Sequence, residues 1–144
     1  MTRNLLGVGK YIFKVNEKLY NKVTEKYGIT NLELSILFFL KSNFGVDTAR
    51  DMAEKLNLSK SNISDAVDSL TKKGYLIGVQ DENDRRYIHL KLQDSADIIL
   101  EDAFKVNGNF IEAITKDIEP EKLEIAREVL EKVLENVIKE SKNI

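Results

Sequence analysis

From about Thr2 to Tyr27, Leu5, Val8, Ile12, Val15 and Leu19 recur at spacings of three and four, with Val23 continuing the stripe. That is the period of a helix with one apolar face, and Gly28 predicts its end, because glycine readily takes the left-handed conformation that closes a helix. Lys10, Lys14, Lys18, Lys22 and Lys26 recur every four residues. They make a broad basic face, read first as solvated surface and second as a phosphate-facing one. Thr30 and Glu33 then form a capping-box pattern. The following "LELSILFFLKSN" is apolar on nearly all sides, as expected of a short helix buried centrally, and "NFGV" reads as a turn or short extended piece.

Thr48 opens the next helix, "ARDMAEKL", with Ala49, Met52, Ala53 and Leu56 on its apolar face. "NLS" is a tight turn, and Ser59 caps a further helix whose apolar positions are Ile63, Ala66, Val67 and Leu70. Two short helices across such a turn predict a helix-turn-helix, stopped by Gly74. The period then changes to two. "YLIGVQ" and "RYIHLKL" flank "DENDR", a pair of strands with turn-forming Asp81, Asn83 and Asp84 at the tip. A long helix from about Ser95 to Ile118 follows, with Ile99, Ala103, Phe104, Phe110, Ile111 and Ile114 expected inward and Gly108 as its weak point. Pro120 suits the first turn of a last helix, with Glu119, Glu121 and Glu124 near its positive end. Leu123, Ala126, Leu130, Val133 and Val137 line it, and Ile125, Val129, Leu134 and Ile138 widen the stripe beyond what one partner helix needs.

The 144 residues fit one compact domain, or two small subdomains sharing helices. The longest apolar run, "ILFFL" from Ile36, falls far short of the ~20 residues that span a bilayer, and Lys10 interrupts any signal-like core near the start; the sequence reads as cytoplasmic. With no cysteine, thiolate chemistry has no donor, and one histidine, His89, falls short of the usual zinc ligand sets. His89 in a strand reads as a packing or surface residue. "GVGK" at Gly7 lacks the first glycine and the hydroxyl of a phosphate loop, so neither enzyme activity nor a cofactor is expected. Charge is uneven. Residues 1–47 carry seven Lys/Arg against four Asp/Glu for +3, residues 48–92 eight against seven for +1, and residues 93–144 seven against thirteen for −6. A phosphate-binding face belongs in the first two-thirds.

A capped polar helix followed by a charged hairpin predicts a winged helix-turn-helix, the helix entering a major groove and the hairpin reaching a minor groove or the backbone. The fold class is mainly α (α+β). The order of elements, and the stretch "TARDMAEKLNLSKSNISDAVDSLTKKGYLIGVQDENDRRYIHLKL", resembles the MarR family of regulators. The markers are Met52, Ala53, Leu56, Leu58, Ser59, Ser61, Ser64, Val67, Leu70, Lys73, Gly74 and the wing from Asp81 to Arg86. The resemblance implies long N- and C-terminal dimerisation helices (1–27 and 95–144) around a DNA-binding region (28–94). It also implies a homodimer on double-stranded DNA, and a small-molecule effector in the cleft between dimerisation helices and winged domain. The sequence departs from the family at Asn83, where the wing often carries arginine, and at Asp65 and Ser69, where many relatives are basic. Gln93 and Ala96 stand where a threonine and then a glycine are common.

The candidate DNA-binding residues are Ser59, Lys60, Ser61, Asn62, Ser64, Asp65, Lys72, Lys73, Arg85 and Arg86. Ser59 caps its helix and its N-terminus can meet a phosphate. Lys60, Ser61, Asn62 and Ser64 carry the chemistry of base edges and phosphates, and Asp65 can accept from cytosine. Lys72 and Lys73 suit the negative end of the helix. One of Arg85 and Arg86 is expected in the groove and the other paired with Asp81 or Asp84. The aromatic residues Tyr11, Phe13, Tyr20, Phe38, Phe39, Phe44, Phe104 and Phe110 read mostly as core. The reading is a sequence-specific transcriptional regulator, a ligand-responsive repressor acting as a homodimer on a pseudo-palindromic operator. The competing reading is a dimeric winged-helix protein-interaction module with weak or lost DNA binding, favoured by Asp65, Asp68 and Asn83.

Overall fold

The structure, a computed structural model, describes residue 11, residues 14 and 15, residues 18–42 and residues 46–141. Leu5, Val8, Lys10, Ile12, Phe13 and Phe44, named above, lie outside the described residues. The elements are α1 (Asn21–Tyr27), α2 (Asn31–Ser42), α3 (Ala49–Lys55), α4 (Lys60–Lys72), β1 (Leu76–Gln80), β2 (Ile88–Leu92), a 3-10 turn (Asp94–Ala96), α5 (Asp97–Thr115) and α6 (Pro120–Ser141). The chain divides into two compact units, Met1–Asn107 and Gly108–Ile144.

In the first unit the local signals act as expected. Gly28 closes α1 at φ +61°. Thr30 and Glu33 cap α2 reciprocally, Glu33 N–H donating to the Thr30 hydroxyl at 3.1 Å and Thr30 N–H to the Glu33 carboxylate at 2.5 Å. The Thr48 hydroxyl accepts from Asp51 N–H at the head of α3. β1 and β2 pair antiparallel with Leu76 opposite Leu92 and Gln80 opposite Ile88. One core runs through all of these elements. Leu34, Ile36 and Leu37 of α2, Met52 of α3, Ile63 and Leu70 of α4, and Ile99 and Leu100 of α5 are fully buried, with Leu76 and Leu90 of the strands beside them. Each large side chain taken out of water this way contributes about 1.5–3 kcal/mol before entropy is counted. The core therefore extends past Gln93 into the first turns of α5, a segment that the family resemblance groups with the dimerisation helices.

Four side chains expected inward are exposed in this chain: Tyr11, Phe104, Ile111 and Ile114. Helical periodicity marks one apolar side of a helix, and Ile99 and Ala103 already supply the buried part of it in α5. Phe104 is nevertheless in ring contact with Phe38, which in turn meets Tyr20, at centroid distances of 5.4 and 5.6 Å. Of the lysine row, Lys26 turns onto α5 and pairs with Asp102 at 2.6 Å.

The second unit comprises the end of α5 and α6, joined by a turn in which Asp117 takes φ +63°. Along α6, Arg127 pairs with both Glu124 and Glu131, and Lys132 with Glu135. Such exposed pairs are screened by solvent and add little to the helix. The apolar stripe is open: Ile125, Val129, Leu130, Val133, Leu134, Val137 and Ile138 are all exposed.

Candidate nucleic-acid interface

The turn between α3 and α4 is built by Asn57, which takes φ +51°, and by Leu58 N–H, which donates to the Ala53 carbonyl at 3.0 Å. Asparagine tolerates this left-handed conformation better than most side chains. Ser59 Oγ then accepts from Asn62 N–H at 3.2 Å. With its start fixed, α4 buries Ile63, Ala66, Val67 and Leu70 and leaves Lys60, Ser61, Asn62, Ser64, Asp65, Asp68 and Lys72 exposed. The predicted contact residues of this helix thus share its solvent side. The two acids are not isolated there, since Asp65, Asp68 and Lys72 line one shallow groove.

Lys73 is committed elsewhere. Its Nζ donates to the Gly28 carbonyl at 2.8 Å and to both carboxylate oxygens of Glu33 at 2.9 and 3.2 Å. These three partners match the three protons of an ammonium group. Burial alone would push the Glu33 carboxyl up, but hydrogen bonds from Ser69, Lys73 and Thr30 N–H outweigh it and hold the group below its ordinary value.

The wing tip is built on two aspartates. Asp81 Oδ1 accepts from the N–H groups of Asn83 and Asp84, each at 2.8 Å. Asp84 in turn holds Arg86, accepting from Nε at 3.0 Å and from Nη2 at 2.7 Å. The Arg86 guanidinium, followed by Arg86 N–H, keeps the Asp84 carboxyl below its usual range. Arg85 is exposed and its side chain has no partner among the described residues; only its carbonyl is engaged, by Gln80 Nε2 at 2.9 Å. The division of labour between the two arginines, open in the sequence, is therefore Arg86 to the loop and Arg85 to solvent.

Two features here lay beyond the sequence reading. His89 Nδ1 meets Asp47 at 2.7 Å and its Nε2 meets Asp81 at 3.0 Å. Asp47 precedes α3 and lies 42 residues away in sequence, so no local pattern links the two. Arg50, on the first turn of α3, lines a cleft of about 350 Å³ together with Thr48, Ala49, Arg86, Tyr87 and Ile88. An arginine at the second position of a helical pattern carries no signal that it will face a wing.

A capped helix of exposed polar side chains beside a two-stranded wing with basic groups at its tip defines a winged helix-turn-helix protein of the DNA-binding class. Residues 27–86 match the MarR family. The chain is 27% identical over 135 residues to the HTH-type transcriptional regulator YfiV of Bacillus subtilis, covering 85% of this chain and 84% of that protein. It is 31% identical over 87 residues to the transcriptional regulator AdcR of Streptococcus pneumoniae, covering 60% and 58%. The fold is similar to that of a MarR family protein from Bacillus stearothermophilus, with a TM-score of 0.81, 19% identity and 95% of each chain covered. Across its winged helix-turn-helix the chain is thus similar to the MarR family of transcriptional regulators, and its fold is that of a MarR family protein.

Proposed function

We propose that this regulator acts as a homodimer on a pseudo-palindromic operator, with α4 in the major groove and the wing beside it, and that it is a repressor released by a small-molecule effector. The observation that carries the DNA contact is the placement of Arg85. It is a guanidinium without a partner among the described residues, at the tip of a wing whose geometry Asp81 and Asp84 fix from within. Ser59, Lys60, Ser61, Asn62, Ser64 and Asp65 supply the groove-facing side of α4, Lys72 the backbone contact at its end, and Arg50 with Arg86 a further cationic pair. Lys73 acts through the fold, holding the end of α4. The dimer is supported by the open apolar stripe of α6, and the effector by the similarity to the MarR family. Such an effector has to bind the DNA-incompetent arrangement more tightly than the competent one, because equal affinity shifts nothing.

Titration with duplex from the neighbouring promoter at two salt concentrations tests the reading. Affinity should fall steeply with salt as counterions are released from the neutralised phosphates. Asp65 and Asp68, exposed on α4, favour the second reading, a dimeric protein-interaction module. That reading gains if duplex binding is absent, or is indifferent to salt.

A further inference from the structure

We propose that His89, in its doubly protonated form, clamps the wing to the segment entering the helix-turn-helix, so that alkalinisation unties the wing tip. The argument starts from donor arithmetic. A neutral imidazole has one N–H and one acceptor nitrogen, whereas carboxylates offer acceptors alone. His89 stands between two carboxylates, Asp47 at 2.7 Å and Asp81 at 3.0 Å. Only the imidazolium can donate to both; a neutral ring satisfies one and turns a lone pair on the other. The two partners belong to different parts of the fold. Asp47 leads into α3, where its carbonyl accepts from Leu90 N–H at 2.7 Å and Thr48 bridges to His89. Asp81 is the residue whose other oxygen gathers the N–H groups of Asn83 and Asp84. A proton on His89 thus ties the turn that presents Arg85 to the entry of the helix-turn-helix.

The surrounding charges leave these two acids as the direct partners. From the α3 side come Asp47, then Arg50 and Asp51, the latter accepting from the Thr48 hydroxyl. From the wing come Asp81, then Glu82, Asp84 and the arginines, with Arg86 held by Asp84. β1 places uncharged Val79 opposite His89. β2 itself adds Tyr87 and Lys91. α2, which packs on β2, has two charged residues, Glu33 tied to Lys73 and Lys41 tied to Asp97. Hydrogen bonds to Asp47 and then Asp81 raise the His89 pKa above its ordinary 6.5. Asp81 is held below the usual carboxylate value, first by Asp84 N–H and then by His89. With the carboxylates ionised, the clamp is complete below the ordinary histidine value of 6.5, and it is lost as pH rises through the raised one.

Because His89 is the single histidine, its ring resonances are unambiguous in a proton–carbon NMR titration of the full chain. The expected result is a midpoint above 6.5, with the Asn83 and Asp84 amides shifting at that same midpoint. Asp47→Asn should lower the midpoint and carry the amide transitions down with it, although Asp47 is remote from the tip in sequence; His89→Gln should abolish them. Amides that stay flat through the His89 transition, or a midpoint unmoved by Asp47→Asn, overturn the clamp. The consequence for DNA rests on the proposed function: duplex affinity should weaken roughly tenfold across the same transition, and less in His89→Gln. Absence of duplex binding at pH 6 would sink the DNA reading, while the amide titration still decides the clamp.

Discussion

Lys73, at the end of α4, and Glu33, at the start of α2, close an ion pair of 2.9 Å across 40 residues of sequence. The Glu33 side chain is 3% exposed, so this pair differs in kind from the surface pairs of α6. It also draws in the Gly28 carbonyl and the Thr30 cap. A lysine that the sequence offers to a phosphate ties the end of α4 to the start of α2.

Removing that ammonium strands a buried carboxylate. Lys73→Met should cost roughly 1–3 kcal/mol in urea unfolding, the scale for hydrogen bonds to charged groups, whereas Lys72→Met should stay within about 0.5 kcal/mol, as for an exposed side chain. The pH dependence follows from the depressed Glu33 value. A carboxyl that is more acidic folded than unfolded stabilises the fold above its ordinary range and ceases to as pH falls through the folded value. The loss of stability on acidification should therefore be smaller in Lys73→Met than in wild type. Equal acid sensitivity of the two would deny the pair this role.

The two wing arginines should fail differently. Arg85→Ala should weaken operator and random duplex alike and shrink the salt slope by roughly one unit if it neutralises a phosphate. Arg86→Ala removes the cation that Asp84 holds, so it should also perturb the tip, visible as shifts at the Asp84 and Tyr87 amides that Arg85→Ala leaves in place. Identical amide maps for the two variants would contradict the assignment.

On α4, Asn62→Ala should cost about 1–3 kcal/mol of binding on the true operator and little on random DNA, as expected for a base-edge reader. Asp65→Arg separates two roles. If Asp65 only repels phosphate, the substitution raises non-specific affinity; if it reads a cytosine, operator preference collapses. Electrophoretic or fluorescence titrations against both duplexes measure each outcome.

Val133 is 45% exposed in the chain alone, amid Leu130, Leu134 and Val137. Burying each of these against a second copy would contribute up to about 1.5–3 kcal/mol. Val133→Asp would place an unpaired charge in the proposed seam and should dissociate or unfold the proposed dimer in sedimentation velocity. Wild type sedimenting as a stable monomer at micromolar concentration would remove the dimer from the proposal.

What the sequence determined by itself is what local physics decides. Helices α2 to α4 begin where Thr30, Thr48 and Ser59 can cap them, glycines 28 and 74 stand at positive φ where α1 and α4 end, and the change of period to two marks the strands. Ile63, Val67 and Leu70 are legible as buried, which also leaves Lys60, Ser61, Asn62 and Ser64 on the solvent side of α4. Tertiary structure decided the pairings. Whether Lys73 meets a phosphate or Glu33, and that His89 reaches Asp47, depend on side chains that long-range packing brings within about 3 Å of each other; which arginine Asp84 captures, and the His89 contact with Asp81, depend on the conformation of the wing turn. Periodicity likewise named Phe104, Ile111 and Ile114 as apolar-face residues, but a period carries direction without depth. Only the packed core, already filled by Ile99, Leu100 and Ala103, determined which of them it could cover.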